Sequence, residues 1–234
     1  ACYADDTRIY ADISCVGGHQ RLQTALENIE IWTRRWKFQV SPSKSAVLHV
    51  FHHERFEYVL FDESIPECSE VVDLGVTISH DLRPEAHLRA AIARAGRTAN
   101  FVSRAFVCRL PNVYLRAYLS LVLPILLYAS PVWRPWLKGS IRTLESFQKR
   151  FVRRVAFKCN VDPRSIEIKS ISELLDDYDL KFAHLILDNP DFSGFFERRP
   201  TVTRSRELFV TPRACNNTVL NSLRWRLSRR LSSL

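Results

Sequence analysis

The spacing of apolar positions changes character along the chain. In residues 1–13 two short β-prone stretches, Ala1-Cys2-Tyr3 and Thr7–Ala11, flank an acidic pair, which predicts a hairpin with Asp5 and Asp6 in its turn. Gly17-Gly18 breaks this pattern. Leu22, Leu26, Ile29, Trp32 and Trp36 then recur at helical steps, predicting a helix from about His19 to Trp36 that buries those five side chains. After the Ser41-Pro42-Ser43 turn, Ala46–His52, Glu57–Phe61 and Val71–Ile78 have the composition of strands.

From Pro84 onward the period is helical. Glu85–Cys108 carries the stripe Leu88, Ile92, Ala95, Ala99, Val102 and Phe106, with Arg89, Arg94, Arg97 and Arg104 on the other side. Pro111 opens a second helix through Tyr114, Tyr118, Leu121 and Val122. A third, Gly139–Cys159, has the stripe Ile141, Leu144, Phe147, Phe151 and Val155, opposed by Arg142, Lys149, Arg150 and Arg153. Ile171–Leu187 reads as a shorter helix stopped by Asn189-Pro190, residues 192–215 as mostly loop, and Asn217–Leu231 as a basic helix. Strands followed by helices predict an α+β chain: an antiparallel sheet with a packed helix, then a helical region.

Charge divides the chain in the same places. The net charge is +9, but residues 1–81 hold 7 Lys and Arg against 13 Asp and Glu, residues 82–160 hold 15 against 2, and residues 161–234 hold 12 against 10. We therefore read three regions: 1–81, 82–160 and 161–234. About eighty residues with two acids call for a polyanion, an acidic surface or extensive solvation.

Other features exclude rather than identify. Cys2, Cys15, Cys68, Cys108, Cys159 and Cys215 are scattered with no CxxC spacing, so neither a zinc site nor a disulfide partner is expected, and the compartment reads as reducing: intracellular, nucleus or cytoplasm. Asn216-Asn217-Thr218 matches a glycosylation acceptor in form, as a chance match would. Residues 117–133 carry no charge, but Pro124 and Pro131 interrupt them and Arg116 and Arg134 flank them, so a buried helix followed by an extended segment is expected, and no membrane span. The chain contains no Met and reads as a fragment or a degraded reading frame.

Adjacent carboxylates on a tight turn can converge on a divalent cation. Phosphoryl transfer by two metal ions needs such groups, one ion activating the attacking hydroxyl and the other steadying the leaving phosphates. Aspartates also favour turns for backbone reasons alone.

Neighbouring motifs decide between these readings. Tyr3-Ala4-Asp5-Asp6-Thr7, Val40-Ser41-Pro42-Ser43-Lys44-Ser45, Val72–Ser79, Pro124–Trp133 with Tyr118 ahead of it, and Leu144–Arg154 stand in one order. In that order they resemble the reverse transcriptases of non-LTR, LINE-like and especially jockey-like retrotransposons, from the catalytic motif C through motif D to the thumb. The resemblance is firm over residues 1–160 and looser beyond. It implies the C-terminal part of a polymerase palm in 1–81, a basic helical thumb in 82–160 and a post-thumb helical extension in 161–234.

It further implies RNA-directed DNA polymerase chemistry, with Mg²⁺ held by Asp5 and Asp6. Lys44 would stand near the incoming nucleotide, although a surface lysine beside a turn fits the residues equally. Arg89, Arg94, Arg97, Arg104, Lys149, Arg150 and Arg153 would hold the phosphates of an RNA template and DNA primer, with deoxynucleoside triphosphates as the other partners. No segment resembles the motif carrying the third metal-binding aspartate, and the nucleotide-binding motifs of the fingers are absent, so this chain alone is expected to lack activity. A non-catalytic basic RNA- or DNA-binding module from a decayed or repurposed element is the alternative. Trp32, Trp36 and Tyr128 are expected in the core; Trp133 and Trp136 fit either core packing or base stacking.

Overall fold

The computed structural model describes residues 2–51, 54–192, 194–196, 209–210 and 222–232. Cys215, the Asn216-Asn217-Thr218 triplet, Arg198-Arg199-Pro200 and the start of the expected C-terminal helix lie outside the described residues. The chain divides into two compact units: residues 1–73 with 78–82, and residues 74–77 with 83–234.

The first unit is built on hairpins and one helix. Strands β1 (Cys2–Tyr3) and β2 (Asp6–Thr7) pair antiparallel. Helix α1 (Gly18–Trp36) follows a tight joint. The Asp12 carboxylate accepts the Ser14 N–H (3.0 Å) and hydroxyl (2.5 Å), and these bonds hold its carboxyl below the usual range. Gly18 is required there, because a Cβ would lie 2.2 Å from the Asp12 carbonyl oxygen.

Strands β3 (Val59–Leu60) and β4 (Glu63–Ser64) form a second hairpin, whose turn residues Phe61 and Asp62 both have positive φ. The Gln23 side-chain amide pairs with Val59 as a strand would, donating to its carbonyl (3.0 Å) and accepting from its N–H (3.1 Å), while Glu30 accepts from the Phe61 N–H. The expected strand in Ala46–His52 is only an isolated parallel bridge between Val47 and Glu67, and residue 52 lies outside the described set.

Trp32 and Trp36 are not core residues; they are 52% and 60% exposed. The small apolar cluster of Tyr58, Leu60 and Ile65 packs on α1 through Leu22 and Leu26. Trp32 and Trp36 lie roughly 9 and 15 Å further along the helix axis than Leu26. There Trp32 stacks on Phe38 (5.3 Å between centroids) and packs beside Trp36.

The expected strand Val71–Ile78 is instead a hairpin, β5 (Glu70–Asp73) and β6 (Val76–Ser79), turned at Leu74-Gly75 with both φ positive. The tip belongs to the second unit. Gly75 needs both its conformation and its lack of a side chain, since a Cβ would sit 3.3 Å from the Tyr128 ring, whose hydroxyl donates to the Leu74 carbonyl (3.1 Å). Tyr128 is therefore an edge residue, 52% exposed, rather than a core one.

The second unit is helical: α2 (Glu85–Ala105), α3 (Pro111–Ala117), a π-turn over Tyr118–Val122, α4 (Leu123–Leu127), α5 (Ser130–Trp133), α6 (Lys138–Cys159), α7 (Ile171–Asp188) and α8 (Leu223–Ser232). The expected extended segment before Trp133 is absent. The π-turn shifts the register ahead of Pro124, which then stands in the first turn of α4, where its missing N–H breaks no helical bond. Among the described residues no helix is long and apolar enough to cross a membrane.

One core joins Leu88, Ala95, Ala99 and Val102 of α2, Tyr114, Tyr118, Val122 and Leu126 of the segment after it, Leu144, Phe147, Phe151 and Val155 of α6, and Ile171 and Leu175 of α7. The alanines let the Tyr118 segment approach α2 closely. Within this core the Tyr118 hydroxyl donates to Gln148 (3.2 Å), whose amide donates to the Lys169 carbonyl (2.8 Å); burial pushes the phenol well above its ordinary range. Ser170 and Glu173 close a capping box on α7.

Two polar clusters are buried in this unit. Asp179, 1% exposed, accepts from Arg134 (2.8 Å) and Arg226 (3.4 Å), and Arg230 reaches both it and Asp176. Arg134 also pairs with Asp176, and Arg226 donates to the Pro131 carbonyl (2.6 Å), so α8 is tied to α5 and α7. Removing the carboxylate leaves buried guanidinium groups undercompensated; Asp179→Ala is expected to cost about 3 kcal/mol in unfolding free energy, measured by urea denaturation.

His87 is the second. Its ring packs on Trp133 (4.8 Å between centroids) and its Nδ1 accepts the Thr77 N–H (3.1 Å). Burial, and secondarily the Arg94 charge, lowers its pKa from 6.5 to about 4. The fold thus holds the neutral ring: this stabilisation is complete above pH 6.5 and is lost as the pH falls from 6.5 through about 4. Its full extent is roughly 3 kcal/mol. Thermal melts across that window are expected to show a flatter pH dependence in His87→Asn, which keeps an acceptor near the Nδ1 position but does not titrate.

Candidate nucleic-acid interface

The acidic turn is small and open. Cys2 pairs with Thr7 and Tyr3 with Asp6, so Asp6 opens β2 and Asp5 alone of the pair lies in the turn. This corrects the expectation of both aspartates in the turn. Residues 2–7 are all exposed. Ala4 has φ 52°, a left-handed conformation that is costly for a residue with a Cβ. The short alanine side chain keeps the turn slim.

Two adjacent exposed carboxylates suit a hard dication in kind, since Mg²⁺ takes oxygen ligands, but they supply only part of an octahedral shell. Among the described residues no group of three or more His, Cys, Asp or Glu side chains is placed to hold a metal ion.

Lys44 ends a 3₁₀ turn, Pro42–Lys44, and is exposed. The turn is closed by the Ser45 N–H donating to the Pro42 carbonyl (3.0 Å) and the Ser45 hydroxyl to the Ser41 carbonyl (3.1 Å). No hydrogen bond or ion pair joins Lys44 to Asp5 or Asp6 among the described residues.

The basic residues behave differently in two parts of the second unit. Around Asp176 and Asp179 the arginines are paired. On α2 and α6 they are not: Arg89, Arg94, Arg97, Arg104, Lys149, Arg150 and Arg153 are all exposed, and among the described residues none has a carboxylate within ion-pair distance. Their positions follow from the helical period. Leu88, Ala95, Ala99 and Val102 point into the core, so Arg97 and Arg104 point away from it, with Arg89 and Arg94 on the flanks. On α6, Leu144, Phe151 and Val155 turn Lys149, Arg150 and Arg153 outward.

Contacts between the two helices set their direction. Ser140 donates to Glu85 (3.3 Å), Arg154 to the Asn100 side-chain oxygen (2.6 Å) and Lys158 to the Ser103 carbonyl (2.7 Å), so α2 and α6 run parallel. Lys158 also bonds the Phe106 carbonyl and lies over the Tyr114 ring (5.2 Å), while the Tyr114 hydroxyl donates to the Phe106 (2.7 Å) and Cys108 (3.0 Å) carbonyls. Together they satisfy the C-terminal end of α2, where a cation is favoured by the helix dipole.

The sequence pattern left Asn100, Arg154, Phe157 and Lys158 out of the candidate set. The steps from Arg150 to Arg154 and from Arg154 to Lys158 were the available signal, a basic ladder on one side of α6. Trp133 is buried, with its indole N–H donating to the Tyr128 carbonyl (2.7 Å), so of its two readings it takes the packing one.

The amino-acid sequence is 27% identical over 168 residues to a Drosophila melanogaster protein described as a probable RNA-directed DNA polymerase from transposon BS. The match takes in 66% of this chain, which spans only 18% of that protein's length. No protein-family model matches the chain. No solved structure matches it.

Proposed function

We propose that this chain is a nucleic-acid-holding part of a reverse transcriptase from a non-LTR, jockey-like retrotransposon. The distant similarity to the Drosophila transposon polymerase carries the reading and supports a reverse-transcriptase fragment. The unpaired basic faces of α2 and α6 supply the physical means: cations that no protein carboxylate neutralises are available to phosphates.

In this reading residues 1–81 are the C-terminal part of the palm, 82–160 the thumb and 161–234 its helical extension. Arg89, Arg94, Arg97, Arg104, Lys149, Arg150 and Arg153 hold the backbone of an RNA–DNA duplex without reading its sequence. Asp5 and Asp6 are two of the Mg²⁺ ligands of the complete polymerase, and Lys44 stands near the incoming nucleotide. The metal ions, when bound, would stabilise charge on the attacking and leaving oxygens. The two aspartates contribute only oxygen donors on a slim turn that a nucleic-acid end can approach.

A second, narrower reading takes the chain by itself as a binding module without polymerase activity, because two carboxylates supply only part of an octahedral shell. Primer extension by the purified chain with Mg²⁺ is expected to give no product; robust extension abolished by Asp5→Ala would overturn that expectation. For the duplex reading, affinity for an RNA–DNA hybrid is measured across salt concentrations. Replacing Arg94, Arg97, Arg150 and Arg153 together by Ala is expected to lower the log–log salt slope by about 4 and to weaken binding at every salt concentration. An unchanged slope and affinity would sink it.

A further inference from the structure

Between the C-terminal halves of α2 and α6 lies an open groove of about 590 Å³, lined by Asn100, Ser103, Arg104, Arg154, Phe157 and Lys158. Its volume is in the range of small-ligand sites. Three of the six lining side chains are cationic, and none of the three has a carboxylate partner among the described residues. Arg154 and Lys158 are held in place by Asn100 and by the carbonyls at the end of α2, so their charges are positioned but not neutralised.

Phe157 distinguishes this groove from the rest of the basic surface. It is 91% exposed on a helix whose other phenylalanines, Phe147 and Phe151, are buried. Its helical neighbours at three and four residues back are Arg154 and Arg153, so the phenyl face stands among guanidinium groups. An isolated surface phenylalanine needs no explanation. One on the wall of a cationic groove, two of whose charges are held in place, meets the two requirements of single-strand binding: positive charge for the backbone and a flat ring for a base. Duplex bases have both faces covered by their neighbours and cannot use such a ring; an unpaired base can.

We propose that this groove binds an unpaired nucleotide of a single-stranded nucleic acid, its base stacked on Phe157 and its phosphates on Arg104 and Arg154. This deepens the nucleic-acid reading above and rests on it, adding a single-strand subsite that shares Arg104 with the duplex-holding surface. Lys158 contributes its charge from the floor while it caps α2.

The test compares the full chain with Phe157→Ala and Phe157→Trp, using single-stranded RNA and DNA oligonucleotides of about 12 nucleotides, a length one binding fold can cover, and an RNA–DNA duplex of equal length. Phe157→Ala is expected to weaken single-strand binding about ten-fold on at least one of the two sugars, with duplex affinity held within about two-fold, and Phe157→Trp to retain the affinity. Since the ring is exposed, the variants should keep the parent melting temperature. Unchanged single-strand affinity in Phe157→Ala, or an equal loss for strand and duplex, overturns the subsite while leaving the duplex reading intact. Binding of poly-glutamate that is equally sensitive to Phe157→Ala also overturns it, because a peptide would then use the same surface. A parent chain that binds neither strand nor duplex overturns both readings.

Discussion

Parallel packing of α2 against α6 is the constraint from which the rest of the second unit follows. Each helix buries one apolar stripe in the same core, and each therefore turns its arginines outward. Burial of side chains such as Leu144, Phe151 and Val155 is worth about 1.5–3 kcal/mol each. Repulsion between exposed cations on neighbouring helices is screened within about 8–10 Å at physiological salt. The packing term wins, and the helices keep an uncompensated positive surface that solvent and counterions tolerate and a polyanion can exploit. Around Asp176 and Asp179 the opposite choice is made. There the arginines are partly desolvated, and carboxylates beside Arg134, Arg226 and Arg230 are what keep such burial from being prohibitive.

Unit one solves a different problem. A two-stranded hairpin is marginally stable alone, and its strands are only two to four residues long. Side chains stand in for missing strands: the Gln23 amide completes the backbone pairing of Val59, and Glu30 takes the Phe61 N–H. Tight turns with positive φ at Ala4, Phe61 and Asp62 place conformational strain at the hairpin tips. The acidic tip is one of these, which leaves Asp5 and Asp6 accessible but with few fixed neighbours. Among the described residues no third His, Cys, Asp or Glu side chain stands with them to hold a metal ion.

The similarity to a transposon polymerase and the unpaired cations point the same way by independent routes. One is a likeness of sequence that spans a small part of a long relative; the other is a property of two helices in this chain. A duplex-holding surface needs only the cations, whereas the groove at Phe157 adds an exposed ring beside Arg154 and Lys158, whose charges are held in place. Its geometry depends on Lys158 and Tyr114 satisfying the end of α2, so stability and the proposed subsite share one set of contacts.

Much of the helical half was legible from residue order. The stripes of α2 and α6, the start of α3 at Pro111, the bounds of α7 and the outward arginines are all consequences of a 3.6-residue period, which is a local property of the chain. The two adjacent aspartates, the order of the motifs and the concentration of positive charge in residues 82–160 were likewise present in the sequence alone. Whether a face is covered was not, because that depends on what arrives from elsewhere in the chain. So Trp32 and Trp36, correctly placed on one helical face, prove exposed where the small sheet ends, and Tyr128 lies at an edge holding a hairpin tip. Continuity of the helix to Leu127 through Pro124 depends on a π-turn, and the division of arginines into paired and unpaired depends on where α7 and α8 bring their charges. The Tyr3-Ala4-Asp5-Asp6 turn was named by its sequence; its shape, with Asp5 in the turn and Asp6 in the strand, came only from how the backbone closes.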